Sequence, residues 1–318
     1  MKAKTFSTFI FLLLASYAQA IKEPINFYPL KMATKPKCVN LASKGFGNFN
    51  SGIDLTTIKI IYAFGDSYMA NGQSIGGTPP SSECSKNDGD NPKCGGRASN
   101  GPVYPEQFAK YIDATLKDYA QGGATVSHLL WPSDKPQTDM IEHVQTFIDQ
   151  HNIIDPSSTL AIISYGINDW ASTYRLGTGN LLKAAQELID QTDRIFKAGI
   201  RKIVILSPPM ISNPLQSFND KIWNDLKFLK TQYTDLQIGY VDFTALYSAI
   251  KANPHSFGYE STGSCLKSQT SIAAGKCSTP AVYLYWIPDH PQKLTHGLMA
   301  EWTYEALTTC TAQKVSSQ

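Results

Sequence analysis

The sequence predicts a three-layer α/β/α sandwich around a central parallel sheet, and three observations carry that prediction. Short apolar runs recur at residues 58–64, 160–165, 203–206 and 238–241, the pattern of strands buried on both faces. Between them, apolar residues recur at helical spacing over about 104–116, 138–150, 181–198, 217–231 and 244–252. Strands that alternate with helices call for a parallel sheet covered on both sides. The chain is also long and apolar enough to fill such a fold: its 318 residues are 42% hydrophobic and 17% charged, which excludes general disorder.

Taken in order, residues 1–20 hold Lys2 and Lys4, an apolar run from Phe9 to Ala15, and small residues at Ala18 and Ala20. This is the pattern of a secretory signal peptide cut after Ala20, too short to span a bilayer. The mature chain is therefore expected to be secreted or periplasmic. Losing Lys2 and Lys4 takes the formal charge from +2 to near zero. A nucleic-acid partner is excluded on that ground, because phosphate binding by counterion release needs a basic surface. Residues 21–57, rich in Lys, Pro, Asn and Gly and without periodicity, form an N-terminal extension expected to lie over the domain. Residues 58–318 then form one domain, with no internal repeat and no dividing linker. An oxidising address makes the six cysteines structural. Proximity pairs Cys84 with Cys94 and Cys265 with Cys277, leaving Cys38 to tie the chain ends together with Cys310. None has the Cys-x-x-Cys spacing of a zinc or redox site.

In open α/β sheets, functional groups collect at the carboxyl ends of the strands. The first strand runs into Phe64-Gly65-Asp66-Ser67-Tyr68, which places a hydroxyl at the following turn. Alone, such a serine is as readily a helix cap. Gly122-Gly123-Ala124-Thr125 lies between the apolar runs 58–64 and 160–165, and Gly166-Ile167-Asn168-Asp169 follows the second of these. Each separately reads as a turn or a loop cap. Together, the backbone N–H groups of Ser67 and Gly123 and the Asn168 carboxamide make three donors for a developing oxyanion, the largest single contribution in acyl transfer. A serine also needs a neighbouring imidazole to take its proton. His290 is the candidate, in a Pro-punctuated segment from Trp286 to His296 that leads into a final helix. His296 reads as an exposed residue of that helix. Asp289, His290 and His296 lack the spacing of a metal site, so no metal and no cofactor is expected.

These blocks resemble the SGNH, or GDSL, family of esterases and lipases. Four appear in the family's order, as Gly65-Asp66-Ser67-Tyr68, Gly122-Gly123-Ala124, Gly166-Ile167-Asn168-Asp169 and His290-Pro291, and the likeness extends over roughly residues 58–309. The resemblance implies a flavodoxin-like SGNH hydrolase fold, with Ser67 as nucleophile and His290 as general base. It also implies an oxyanion hole of Ser67, Gly123 and Asn168, and two-step ester cleavage through an acyl-enzyme. One departure stands out: the family places Asp three residues before the histidine, and here that position is Ile287. Asp289 is then one candidate for the acid. The other is a backbone carbonyl, such as that of Ile287, orienting the imidazole with less stabilisation of its charged form.

The expectation is a secreted serine esterase acting on lipid or phospholipid acyl esters, by hydrolysis or acyl transfer, with transient contact to a membrane surface. Deacetylation of carbohydrate esters is the alternative reaction. An inactive binding protein on the same fold is the alternative of a different class, supported only by Ile287.

Overall fold

The structure is a computed structural model that describes residues 27–84, 89–132, 138–177, 179–210 and 212–312. The expected signal peptide lies outside the described residues. In chain order the strands are β1 (Phe49–Asn50), β2 (Ile60–Gly65), β3 (Thr115–Asp118), β4 (Thr159–Ser164), β5 (Lys202–Leu206), β6 (Gln237–Val241), β7 (Ser261–Ser264), β8 (Tyr283–Ile287) and β9 (His290–Pro291). The helices are α1 (Tyr104–Ile112), α2 (Met140–Asp149), α3 (Ile167–Leu176), α4 (Leu181–Lys197), α5 (Asn213–Gln232), α6 (Phe243–Ala252) and α7 (Lys293–Thr309).

Among the described residues the main sheet has the order β1-β6-β5-β4-β2-β3. β3, β2, β4, β5 and β6 run parallel, and β1 joins the edge antiparallel to β6. Successive side chains of a strand point to opposite faces, and the core divides accordingly. Ile61 and Ala63 of β2, Leu160 and Ile162 of β4, and Val204 and Leu206 of β5 face one cluster, filled by α1, α6 and α7 through Phe108, Leu246 and Trp302. Tyr62 and Phe64, Ala161 and Ile163, and Ile203 and Ile205 face the other, filled by α2, α4 and α5 through Phe147, Leu188 and Trp223. This is the expected three-layer sandwich, and it explains why the strands read as continuous apolar runs.

The strand order reverses between β2 and β4, since the chain goes from β2 outward to β3 and then back across to β4. In such sheets the crevice outside the carboxyl ends at this switch point binds ligands. Ser67 follows β2 and Asn168 follows β4, so the topology alone brings them to the same crevice.

Four elements differ from expectation. The helix expected over 104–116 ends at Ile112, where Asp113 takes a left-handed conformation (φ 59°). The chain then re-enters the sheet as β3, with Thr115 opposite Ile60. α5 begins four residues earlier than the apolar spacing indicates, because Ser212 accepts the N–H of Leu215 and Pro214 occupies its first turn. α3 was absent from the periodicity altogether. The N-terminal extension does more than cover the domain: it supplies β1, and Phe27 and Leu30 are buried in the core.

All three expected disulfides are present, Cys38–Cys310, Cys84–Cys94 and Cys265–Cys277. The second closes a loop between β2 and α1, and the Trp286 indole donates to the Pro92 carbonyl of that loop at 2.7 Å. The third closes the connection between β7 and β8, which with β9 form a small second sheet. This sheet carries His290.

Candidate active site

The turn after β2 is the first component. Gly65 passes so close to Met69 and to the Ser164 carbonyl that a Cβ there has no room. The Asp66 carbonyl accepts the N–H groups of Met69 (3.0 Å) and Ala70 (2.9 Å), and its carboxyl accepts the N–H of Tyr68 at 3.0 Å. Ser67 is thereby held at the apex. Asp66 is 2% exposed, and burial pushes its carboxyl up to about 7, against the pull of the Tyr68 N–H.

The second component joins the other two loops. Gly123 has φ 86°, a conformation that glycine adopts without strain. The Asn168 side-chain NH2 donates to the Ala124 carbonyl at 2.9 Å. The adjacent Asp169, fully buried, accepts the Val126 N–H at 3.0 Å and 3.2 Å through its two oxygens. Burial pushes that carboxyl up to about 7 as well. These bonds fasten the segment from Ala124 to Val126 to the start of α3. A carboxamide has two N–H donors, and the Ala124 bond uses one.

The third component is His290, at the start of β9. Its Nε2 lies 2.9 Å from the Ser67 Oγ, and its Nδ1 lies 2.9 Å from the Pro288 carbonyl oxygen. A carbonyl only accepts, so Nδ1 must carry the ring proton to make that bond. The Nε2 lone pair then faces the serine hydroxyl. Burial holds the imidazole pKa below its usual value; the Pro288 carbonyl opposes this, the Lys93 ammonium adds to it, and the Asp289 carboxylate opposes it.

Of the two candidates for the partner of Nδ1, a backbone carbonyl stands there and Asp289 does not. Its side chain is exposed, and among the described residues no hydrogen bond joins its carboxylate to the imidazole. Asp289 instead sits at φ 63°, in the turn between Ile287 and His290, which are cross-strand partners. Aspartate tolerates the left-handed region better than most residues, so its place is explained by its backbone. The carbonyl that meets Nδ1 is that of Pro288, not Ile287, whose side chain is wholly buried beside Trp286 and Leu266. His296 is corrected too: it is 1% exposed, with its ring centroid 6.3 Å from that of Tyr68. Burial pushes it down to about 3, with His290 adding in the same direction. α7 is enclosed around most of its circumference, so its histidine has no exposed face to occupy.

Ser67, Gly123, Asn168 and His290 line one pocket of about 630 Å³. Its lining includes apolar side chains, Ile167, Trp170 and Ala171 of α3 together with Pro209 and Met210. The ring of Tyr174, one turn further along α3 and 82% exposed, stacks on Trp170 at 5.8 Å. Lys93, Lys251 and Gln269 also line it. Neither lysine has an acidic partner among the described residues. The described residues with metal-ligand potential, His128, Asp139 and Glu142, lie outside this pocket. There the Asp139 carboxylate already caps α2 by accepting the Glu142 N–H and also accepts the His128 N–H. Sequence reasoning missed the Pro288 carbonyl, the two lysines and Trp170.

Residues 61–303 match the family model of the GDSL-like lipases and acylhydrolases. Among solved structures, the chain is similar to a member of the lipolytic G-D-S-L family from Veillonella parvula, with 15% identity over 79% of this chain and 98% of that one and a TM-score of 0.42. It is similar to an acetylxylan esterase from Geobacillus stearothermophilus, with 14% identity over 82% of this chain and 96% of that one and a TM-score of 0.44. It is also similar to a family two carbohydrate esterase from Clostridium thermocellum, with 16% identity over 78% of this chain and 62% of that one and a TM-score of 0.45. No curated protein matches the chain.

Proposed function

Because the chain belongs to the GDSL-like lipase/acylhydrolase family and is thereby a hydrolase of ester bonds, we propose that it is a secreted serine esterase that cleaves lipid-like acyl esters through an acyl-enzyme on Ser67. The observation that carries the reading is the 2.9 Å approach of Ser67 Oγ to an imidazole nitrogen whose partner nitrogen is committed to a carbonyl. In this mechanism the Ser67 oxygen attacks the ester carbon while Nε2 of His290 takes its proton. The oxyanion that forms is met by the N–H groups of Ser67 and Gly123 and by Asn168. His290 then returns the proton to the departing alcohol. A water, deprotonated by the same nitrogen, releases the acid and restores the serine.

The acyl-chain reading is supported by the apolar side chains that α3 adds to the pocket lining. A hydrocarbon chain laid from Ser67 along Ile167, Trp170 and Ala171 leaves water for apolar surface, and Tyr174 continues that surface outward. Lys93 and Lys251 in the same lining support an anionic or strongly polar group on the substrate. Secretion is supported by the three disulfides, which persist in oxidising compartments.

The test is a series of p-nitrophenyl esters of increasing acyl length, on wild type, Ser67→Ala and Trp170→Ala. Wild-type kcat/KM is expected to rise with chain length, by up to about fourfold per buried methylene. Trp170→Ala flattens that rise and Ser67→Ala abolishes turnover with folding unchanged. An acetyl ester preferred over all longer ones overturns the lipid reading, and turnover retained by Ser67→Ala overturns the site.

A further inference from the structure

The geometry points to Tyr68 as a positioning residue: its phenol, by donating to the Asp289 carbonyl, holds the two-residue turn that aims the Pro288 carbonyl at His290. The inference rests on the esterase reading above.

The turn between β8 and β9 consists of Pro288 and Asp289, flanked by the cross-strand pair Ile287 and His290. Proline followed by a residue at positive φ is the pattern of a type II turn, in which the peptide between the two is rotated relative to the commoner type I. That peptide carries the Pro288 carbonyl, so its rotation decides where the oxygen points. At Asp289 the rotation requires φ 63°, a conformation that costs most side-chain-bearing residues roughly 1–2 kcal/mol and aspartate less. The alternative rotation relieves that strain and turns the carbonyl away from Nδ1. The functional orientation therefore gains from an outside hold.

Tyr68 supplies one. Its hydroxyl donates to the Asp289 carbonyl at 2.6 Å, which fixes the peptide that follows the rotated one. The residue is 5% exposed, and its ring lies 5.9 Å from the His290 ring and 6.3 Å from that of His296. Burial keeps the phenol in its protonated, donating form throughout the working range. Tyr68 also directly follows the nucleophile, so one short segment presents Ser67 to Nε2 and braces the turn that serves Nδ1. Where a carboxylate three residues before the histidine would hold the ring by its charge, Ile287 leaves that task to a neutral oxygen. A neutral acceptor depends on direction for its strength, so the brace on its direction bears on the rate.

Tyr68→Phe removes the hydroxyl and keeps the ring. With a soluble p-nitrophenyl ester, kcat is expected to fall about tenfold with KM within about twofold, the signature of an interaction that matters in the transition state. The acid limb of kcat/KM moves to lower pH, because a slackened carbonyl stabilises the imidazolium less. The downfield proton resonance of His290 Nδ1–H, identified by its absence in His290→Ala, moves upfield or broadens. A merely structural tyrosine lowers the melting temperature and moves neither of the last two readouts. If Tyr68→Phe does not fold, 3-fluorotyrosine at position 68 changes donor strength at nearly constant size and is expected to shift both readouts. Fluorophosphonate labelling of Ser67 in wild type separates the two levels: no labelling overturns the esterase reading and the brace with it. Labelled wild type, together with a wild-type kcat, pH profile and Nδ1 resonance in the altered protein, overturns the brace alone.

Discussion

In the proposed mechanism, a carbonyl at Nδ1 leaves His290 in the tautomer a base needs but gives it little stabilisation on taking the serine proton. Two predictions belong to this scale. Removing a carboxylate that truly supports a catalytic histidine costs about 10⁴ in kcat; Asp289→Asn is expected to cost less than about threefold, since its carboxylate does not reach the ring. Steady-state kinetics on the variant checks this. Lys93 holds the His290 pKa down, so Lys93→Gln lets it rise and the acid limb of kcat/KM moves to higher pH. The shift shrinks as salt screens the lost charge, and pH profiles at low and high ionic strength measure both effects. Ser67, Gly123, Asn168 and His290, which line one pocket, were legible in the sequence because the roles proposed for them belong to side chains or to glycine-marked turns. The Pro288 carbonyl was not, because every residue has a carbonyl and only the turn geometry aims this one.

Among the elements, strands buried on both faces announced themselves as apolar runs, whereas those with an open face did not. β3 is largely exposed or half-buried in Thr115-Leu116-Lys117-Asp118 and merged with the helix before it. α3 was hidden for a functional reason: Ile167, Trp170 and Ala171 turn toward the pocket, so its pattern is not that of a helix seated on a core. α7 presents the opposite case, where small residues let other groups approach. At Gly297 a Cβ would run into the buried Phe27 ring and crowd the Gln107 side chain. Gly297→Ala is therefore expected to destabilise by about 1–3 kcal/mol despite alanine's better helix propensity, read as a lower urea midpoint at unchanged slope. An increase in stability would mean that the extension does not press on α7. Cys38 and Cys310 close a span of 272 residues, and replacing both with serine is expected to cost about 2–5 kcal/mol while leaving the distant site active.

Across the whole molecule, buried ionisable groups set how stability depends on pH. Asp66 and Asp169 hold their protons up to about 7 in the fold, as does Glu301, but release them near 4 when unfolded. Between those values the native state binds more protons, so these groups lose stability as pH rises. His143 and His296 are pushed by burial down to about 4 and about 3. They oppose the trend, because the unfolded chain takes up their protons below about 6.5. Asp118 and Asp242 are raised by burial too and His290 is lowered by it, so five carboxyls outweigh three imidazoles. The melting temperature is expected to be higher near pH 5 than near pH 8, and a profile that rises over that range contradicts the assignment of protonated buried carboxyls.

The central claim is a serine activated by an imidazole that a backbone carbonyl orients. Its most direct test is the rate of fluorophosphonate labelling, followed by intact mass, in wild type, Ser67→Ala, His290→Ala and Asp289→Asn. Wild type is expected to take one adduct and Ser67→Ala none, with labelling slowed by orders of magnitude in His290→Ala and near the wild-type rate in Asp289→Asn. Labelling that collapses in Asp289→Asn would contradict the claim, because the imidazole would then depend on a carboxylate rather than on the Pro288 carbonyl.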